Sequence, residues 1–348
     1  MLSGKRSFTN AIADLQALHP GNFAMVMASG IVSVGLANLG FEVLAELLYY
    51  FAVFIWLSLL VLSTARAVVH FSAVRVDLLN PRMVFSYFTL VAATAIVGIL
   101  WHAHGHVQLA ILCWWIAFLS WSALLYLSFS VLTFLTHEHN VNIVHGGWLI
   151  SIVGTQSLVL LGARIAPELG PYSSFMMIEI HMLWGLGLAF YGIFVTLFCY
   201  RIFFLTLKPD QVSPLLWVVM GAAAICANAG TSLLTGNPGL PFLVAQRPFI
   251  EGISMMIWAW ATWWIPMLVL FFVWKHLIHK LPLRYEPILW SFVFPLGMYA
   301  VASGRLGLAA EFSPLEWISK VMVWIAFAAW CFTLIGFLHQ MVRTLRRW

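Results

Sequence analysis

Charged residues are scarce in this chain. They make up 8% of its 348 residues, whereas about 25% is usual in soluble domains. Hydrophobic residues make up 63%, which is more apolar surface than a soluble core could bury. The composition therefore excludes an ordinary soluble protein and predicts an all-α integral membrane protein with lipid as its solvent.

The chain also lacks any hydrophilic stretch long enough for an extramembrane domain. We assign residues 21–340 to one transmembrane domain, residues 1–20 to a cytoplasmic segment and residues 341–348 to a basic cytoplasmic tail. Apolar residues recur at helical spacing in 1–20, which favours a short interfacial helix. The basic pair Lys5 and Arg6 is not followed by an apolar run, so this segment is not a signal peptide.

Cysteine is equally sparse, and all four cysteines lie inside apolar runs without motif spacing. We expect free thiols, no metal and no cofactor. The net charge of +5 follows from membrane topology, so no nucleic-acid partner is predicted. The cysteines are Cys113, Cys199, Cys226 and Cys331.

Apolar runs of roughly 20 residues separated by polar breaks predict ten transmembrane helices. The predicted spans are 21–41, 46–65, 83–101, 107–134, 147–165, 174–204, 214–235, 249–274, 287–307 and 315–338. Of the 17 Lys and Arg residues, 13 fall on the side that holds both termini. The other four are Arg164, Arg247, Arg305 and Lys320. This asymmetry places both termini in the cytoplasm of a bacterial inner membrane.

Small residues and aromatic residues alternate between the predicted spans. The odd-numbered spans are rich in glycine and serine, and the even-numbered spans hold most of the tryptophans. Small residues allow helix backbones to approach closely. We expect five helical hairpins, with the odd-numbered helices as an inner ring. The glycines would either border a central pore or only pack a solid core, and the pattern does not decide between the two.

Three stretches carry a resemblance to a known family. They are "HPGNFAMVMASGIVSVGL" in the first span, "WVVMGAAAICANAGTSLL" in the seventh and "WSFVFPLGMYAVAS" in the ninth. With the ten-span layout, they resemble the tellurite-resistance/dicarboxylate transporter family. That family includes fungal malate and sulfite transporters and the slow-type anion channels of plants. The resemblance implies a homotrimer in which each subunit has its own pore, lined by the odd-numbered helices and closed by a phenylalanine.

The ninth span has a proline near its middle. Pro295 cannot donate a hydrogen bond to the Ser291 carbonyl, so we expect a kink there. Phe292 and Phe294 lie about 200° apart around a helix, and only one of them can face the axis. The resemblance selects Phe294 as the gate. Ordinary packing is the alternative role for that side chain.

Other polar and small residues of the odd-numbered spans are candidates for lining the pore. With no Lys or Arg in the middle of these spans, selectivity would come from helix dipoles, backbone N–H groups and hydroxyls. Arg305, near the outer end of the ninth span, is predicted at the outer mouth. The pore-lining candidates are Phe23, Ser29, Ser33, Asn228, Thr231, Ser232 and Gly297.

Glu179 and His181 are ionisable residues within the sixth span, where such groups are functional by default. They could couple transport to protons or make a structural contact. The leading function is passage of small anions, of the chloride, nitrate, sulfite, tellurite or dicarboxylate class. The alternative is a proton-coupled C4-dicarboxylate or sulfite secondary transporter. No constellation of nucleophile and base indicates an enzyme.

Overall fold

A computed structural model describes residues 14–136, 143–236 and 239–345. These ranges are helical, without a strand. Most of the predicted interfacial helix, including Lys5 and Arg6, lies outside the described residues, as do positions 346–348 of the predicted basic tail.

Ten long helices follow one another along the described chain. They are α1 (Ala24–Asn38), α2 (Glu42–Val69), α3 (Phe88–Ala103), α4 (Val107–Ser130), α5 (Ile150–Ile165), α6 (Ser173–Phe204), α7 (Val218–Thr235), α8 (Arg247–Val273), α9 (Trp290–Ala309) and α10 (Ser313–Leu345).

The described residues contain nine helical stretches that are long and apolar enough to cross a bilayer. One of them, Gly146–Phe204, has 59 residues. At about 1.5 Å per residue it would be far longer than a bilayer is thick. It comprises α5 and α6, joined by the 3-10 turn Ala166–Tyr172, where Gly170 has φ 53°. The prediction of an all-helical membrane protein is confirmed.

The predicted bounds differ from the observed ones in a regular way. The odd-numbered α-helices begin three to five residues later than predicted, because a 3-10 turn precedes each of them. α10 continues past the predicted end at 338 to Leu345. α9 runs through Pro295 without interruption. The proline therefore sits inside a continuous helix and does not end one.

The five turns that precede the odd-numbered helices contact one another in a closed cycle. We call them the N-terminal turns. They are Pro20–Phe23, Val84–Tyr87, Gly146–Leu149, Pro214–Trp217 and Pro287–Leu289. Because they meet, the N-termini of α1, α3, α5, α7 and α9 all lie at one end of the bundle, and these helices run in the same direction.

Side chains cap two of these turns by the same local hydrogen bond. His19 Nδ1 accepts from the Gly21 N–H at 2.9 Å, and His145 Nδ1 accepts from the Gly147 N–H at 3.1 Å. Asn80 Oδ1 accepts a bond of the same spacing, from the Arg82 N–H at 2.9 Å, but it lies before the turn Val84–Tyr87, whose N-cap Met83 makes no side-chain bond. Each cap satisfies a backbone donor that a helix start leaves free.

Burial divides the helices into two groups. In Pro214–Thr235, 94% of the most apolar 18 residues are buried, against 17% in Ser313–Thr344. The other odd-numbered helices are also mostly buried, and the other even-numbered helices mostly exposed. We call the odd-numbered helices inner and the even-numbered helices outer.

The inner helices pack on each other in sequence. α1 contacts α3, α3 contacts α5, α5 contacts α7, α7 contacts α9, and α9 returns to α1. Each outer helix packs on the inner helix that precedes it in the chain and also on the following one, with α10 reaching α1. An inner helix is thus enclosed by neighbours on most of its surface, which explains its burial.

One tryptophan on each outer helix donates its indole N–H to the following inner helix. The acceptors are hydroxyl oxygens in four cases and a backbone carbonyl in one. The pairs are Trp56 to Thr94 at 3.1 Å, Trp121 to Thr155 at 2.8 Å, Trp184 to the Cys226 carbonyl at 3.1 Å, Trp258 to Ser303 at 2.9 Å and Trp330 to Ser29 at 2.8 Å.

Replacing Trp330 by Phe removes one of these bonds and keeps most of the ring. We expect a loss of about 0.6–1.7 kcal/mol in the free energy of unfolding, the range for interhelical hydrogen bonds in membranes. Thermal or denaturant unfolding in detergent measures it. Trp324→Phe is the matched control on the same helix, because Trp324 is 42% exposed. Equal losses in both variants would show that ring area, and not the hydrogen bond, matters.

The cap at His145 predicts a pH dependence. Burial, helped by the charges of Arg201 and Arg82, lowers the pKa of His145 from 6.5 to about 4. Between these values the unfolded chain binds more protons than the folded one, so stability is fully present above pH 6.5 and is lost as the pH falls toward 4. The loss amounts to roughly 3 kcal/mol at most.

His145→Asn isolates this contribution, since Asn80 shows that an asparagine side chain can accept a hydrogen bond from the N–H two residues later, as His145 does. We expect the variant to unfold with a weaker dependence on pH between 6.5 and 4 than the wild type. Unfolding temperatures measured across that range test this. Identical pH profiles would contradict it.

Candidate functional site

Phe294 and Pro295 lie deep in the bundle, in the first third of α9. Phe294 is 2% exposed. Pro295 packs on α7 at Gly221, where an added Cβ would come within 2.8 Å of the Pro295 Cγ and 3.1 Å of its Cα. A side chain at position 221 would therefore collide with a rigid ring and with backbone. The glycine sets how closely α7 and α9 approach at the level of Phe294.

Phe292 and Phe294 lie on different sides of α9. Phe292 makes an edge-to-face contact with Trp217, with ring centroids 4.7 Å apart. It also lines a cavity of about 450 Å³ beside α8 and α10. Phe292 thus faces the outer helices, as expected if only one of the two rings can turn inward.

Several glycines of the inner helices lie where these helices touch each other. An added Cβ on Gly297 of α9 would meet Ile31 of α1 at 2.8 Å, and one on Gly30 of α1 would meet Ile96 of α3 at 2.3 Å. Gly154 of α5 faces α3 in the same way. These positions favour the interpretation in which glycine serves close packing. For Gly297 they indicate a helix contact.

The hydroxyl groups of Ser29 and Ser33 point toward outer helices and not toward a central axis. The Ser29 hydroxyl donates to the Met25 carbonyl at 2.8 Å and accepts from Trp330 of α10. The Ser33 hydroxyl donates to the Ala45 carbonyl of α2 at 2.7 Å. Both hydroxyl protons are therefore held by protein oxygens, and both groups lie against outer helices.

The structure brings three of the predicted residues together. Arg305 Nη1 of α9 donates to Ser232 Oγ at 2.7 Å and to Asn228 Oδ1 at 3.4 Å, both on α7. The Asn228 amide also donates to Met298 Sδ at 3.3 Å. Asn228 and Ser232 thus hold the Arg305 guanidinium at the C-terminal end of the inner helices.

Two further pore-lining candidates are fully enclosed. Thr231 is 0% exposed and donates to the Ala227 carbonyl of its own helix at 2.9 Å. Phe23 is 3% exposed and lies in the first N-terminal turn, at the opposite end of the bundle from Arg305.

Glu179 and His181 are half-buried on the outer helix α6. His181 Nδ1 contacts the Met177 carbonyl at 2.6 Å, one turn back on the same helix. This contact is local, and it does not bring the pair to the inner helices. Among the described residues, no three His, Cys, Asp or Glu side chains come together as metal ligands would.

Sequence reasoning missed two basic residues, Arg164 and His102, at the same end of the bundle as Arg305. Arg164 of α5 is close enough for its charge to act on Arg305 and on His102 of α3. Buried atoms of both, Arg164 Nε and His102 Nε2, have no hydrogen-bond partner among the described residues. An alignment of the inner-helix sequences from their first residues would have placed Arg164 and His102 in one column, because each stands fourteen positions after its helix begins.

Gly221→Ala tests the close approach at Pro295. We expect it to destabilise the protein by about 1–3 kcal/mol, because the new methyl group overpacks against a rigid ring. Gly192→Ala is the control, since nothing lies within 4 Å of a Cβ at that position of α6. Unfolding in detergent measures both. A neutral Gly221→Ala variant would contradict the contact.

Comparison with known proteins gives a family and several relatives. The family described as voltage-dependent anion channel (SLAC1) matches residues 17–338. An uncharacterized transporter of Methanocaldococcus jannaschii is 26% identical over 326 residues, which is 91% of each chain. An uncharacterized membrane protein of Mycobacterium tuberculosis (strain H37Rv) is 41% identical over 147 residues, 42% of this chain and 74% of the relative.

The family match covers nearly the whole chain, and it confirms the resemblance seen in the first, seventh and ninth spans. It agrees with the apolar helices and with the transporter relative. The chain therefore belongs to the voltage-dependent anion channel (SLAC1) family of membrane transporters.

Proposed function

We propose that this protein is a passive channel for small anions. It crosses the membrane ten times as five helical hairpins, and the inner helices surround a pore that Phe294 closes. The closed cycle of contacts from α1 through α3, α5, α7 and α9 back to α1 supports this arrangement. The substrate class is chloride, nitrate, sulfite, tellurite or a dicarboxylate.

The common direction of the inner helices supports a preference for anions. Each helix carries a partial positive charge at its N-terminus, and the N-terminal turns bring five such ends to one mouth. Such a mouth attracts anions through backbone dipoles, without a side-chain charge on the turns themselves, so binding at this mouth stays weak and release fast. The excess of Lys and Arg on this side supports a position of this mouth and of both termini in the cytoplasm of a bacterial cell.

The opposite orientations of Phe292 and Phe294 carry the gate assignment. Phe292 contacts Trp217 and faces the outer helices, whereas Phe294 is buried next to the α7–α9 contact. An aromatic ring in a narrow pore blocks ions by its bulk and by excluding water. In this proposal Asn228, Thr231 and Ser232 belong to the pore wall, and Arg305 to its outer mouth. Three such subunits form a homotrimer, each with its own pore.

Phe294→Ala tests the gate in proteoliposomes. We expect chloride and nitrate flux to rise at least about tenfold over the wild type, because the bulk that closes the pore is gone. The added flux should follow the anion's own electrochemical gradient and should not change when a pH gradient is imposed. Phe292→Ala is the matched control: it removes the same side chain two residues away, and its flux should stay at the wild-type level.

Two other results would change the proposed gate or the proposed mechanism. Low flux in Phe294→Ala, equal to that of Phe292→Ala, would remove Phe294 as the gate. Saturating wild-type flux of malate or sulfite driven by a pH gradient would instead indicate a proton-coupled carrier. Glu179→Gln and His181→Gln would then be the variants to measure, because those side chains are the ionisable pair of α6.

A further inference from the structure

Three basic side chains occupy one level of the bundle. His102 and Arg164 each stand 14 residues after the first residue of their α-helices, and Arg305 stands 15 after the start of α9. The inner helices start together at the N-terminal turns. At about 1.5 Å per residue, all three therefore lie roughly 21–23 Å from that end.

The Arg305 guanidinium extends from its own helix toward α7. Its Nη1 atom reaches Ser232 Oγ at 2.7 Å and Asn228 Oδ1 at 3.4 Å. Both contacts are to neutral acceptors, so they position the guanidinium without neutralising its charge. A guanidinium has five N–H donors, and these contacts use one nitrogen.

Arg164 lies on the far side of α7 in the cycle of inner helices. Its charge nevertheless acts on Arg305 and also on His102. Because Arg164 acts on a basic group of α3 and on one of α9, beyond α7, these positions point to a shared space enclosed by the inner helices. Glu168, the acid whose charge acts on His102, is exposed in the turn after α5.

The three basic side chains have too few hydrogen-bond acceptors around them. Arg164 Nε and His102 Nε2 are buried and have no hydrogen-bond partner among the described residues. A buried donor without a partner is costly, because it has given up its hydrogen bonds to water. The C-terminal ends of the helices favour positive charge, but neither of these two atoms is hydrogen-bonded to a carbonyl there. An anion with several oxygens would supply both the charge and the acceptors.

We propose that Arg164, Arg305 and His102 form a binding site for a small oxyanion or carboxylate, with Ser232 and Asn228 holding Arg305 in place. The site rests on the proposed passage of anions, for which it is the binding step at the outer end of the inner helices. Guanidinium groups bind such anions through two parallel hydrogen bonds, so nitrate and acetate should bind more tightly than chloride.

Nitrate binding to the purified protein in detergent tests the site without any flux measurement. Calorimetry at constant ionic strength gives the Kd, with gluconate as the replacing anion. We expect Arg164→Gln and Arg305→Gln each to raise the Kd at least about tenfold, since each removes a charge-assisted hydrogen bond. Arg247→Gln is the matched control: it makes the same charge change on an exposed residue at the start of α8.

Chemical labelling of the wild type covers the case in which a variant fails to fold. Phenylglyoxal modifies arginine, and mass spectrometry reports the rate at each position. We expect nitrate to slow labelling of Arg164 and Arg305 at least about fivefold while leaving Arg247 unchanged. This magnitude assumes nitrate at several times its Kd.

The two proposals can fail separately. Unchanged nitrate binding in both variants, or labelling that nitrate does not slow, would overturn the site even if Phe294→Ala opens the pore. Conversely, lost nitrate binding together with a silent Phe294→Ala variant would leave the site standing and overturn the gated channel.

Discussion

The indole N–H bonds between outer and inner helices organise this fold. Lipid provides little hydrophobic drive for one helix to associate with another, so packing and hydrogen bonds must supply specificity. A tryptophan is well suited to this, because its large ring fills the groove between two helices and its one donor selects one acceptor. Each of these five bonds joins an outer helix to the following inner helix, so the set links outer and inner helices all around the bundle.

A different constraint applies to the inner helices. They must approach closely, which glycine permits, and they must also begin at one level, which the N-terminal turns arrange. Where Gly221 receives Pro295, the two helices are positioned by a contact that tolerates no added methyl group. Rigid positioning of this kind is what a narrow passage requires, since a small change in its radius alters its resistance strongly.

Composition and span lengths were enough to predict the class of the protein and the bounds of most helices. The alternation of small and aromatic residues correctly separated buried from exposed helices. The orientation of the serine hydroxyls could not be predicted. In the sequence Ser29 and Ser33 look like pore-lining residues, but their hydrogen-bond partners, Trp330 and Ala45, lie on neighbouring helices. Arg164 was missed for the same reason, since its relation to Arg305 depends on the circular order of the helices.

The bond between Ser29 and Trp330 joins positions 301 residues apart. During synthesis, one flank of α1 is covered only after α10 has been made, whereas every other inner helix receives this outer partner from the helix just before it. The bundle therefore closes in one late step that joins α10 to α1. Until α10 is made, the nascent chain presents an open seam to lipid and to the machinery of membrane insertion.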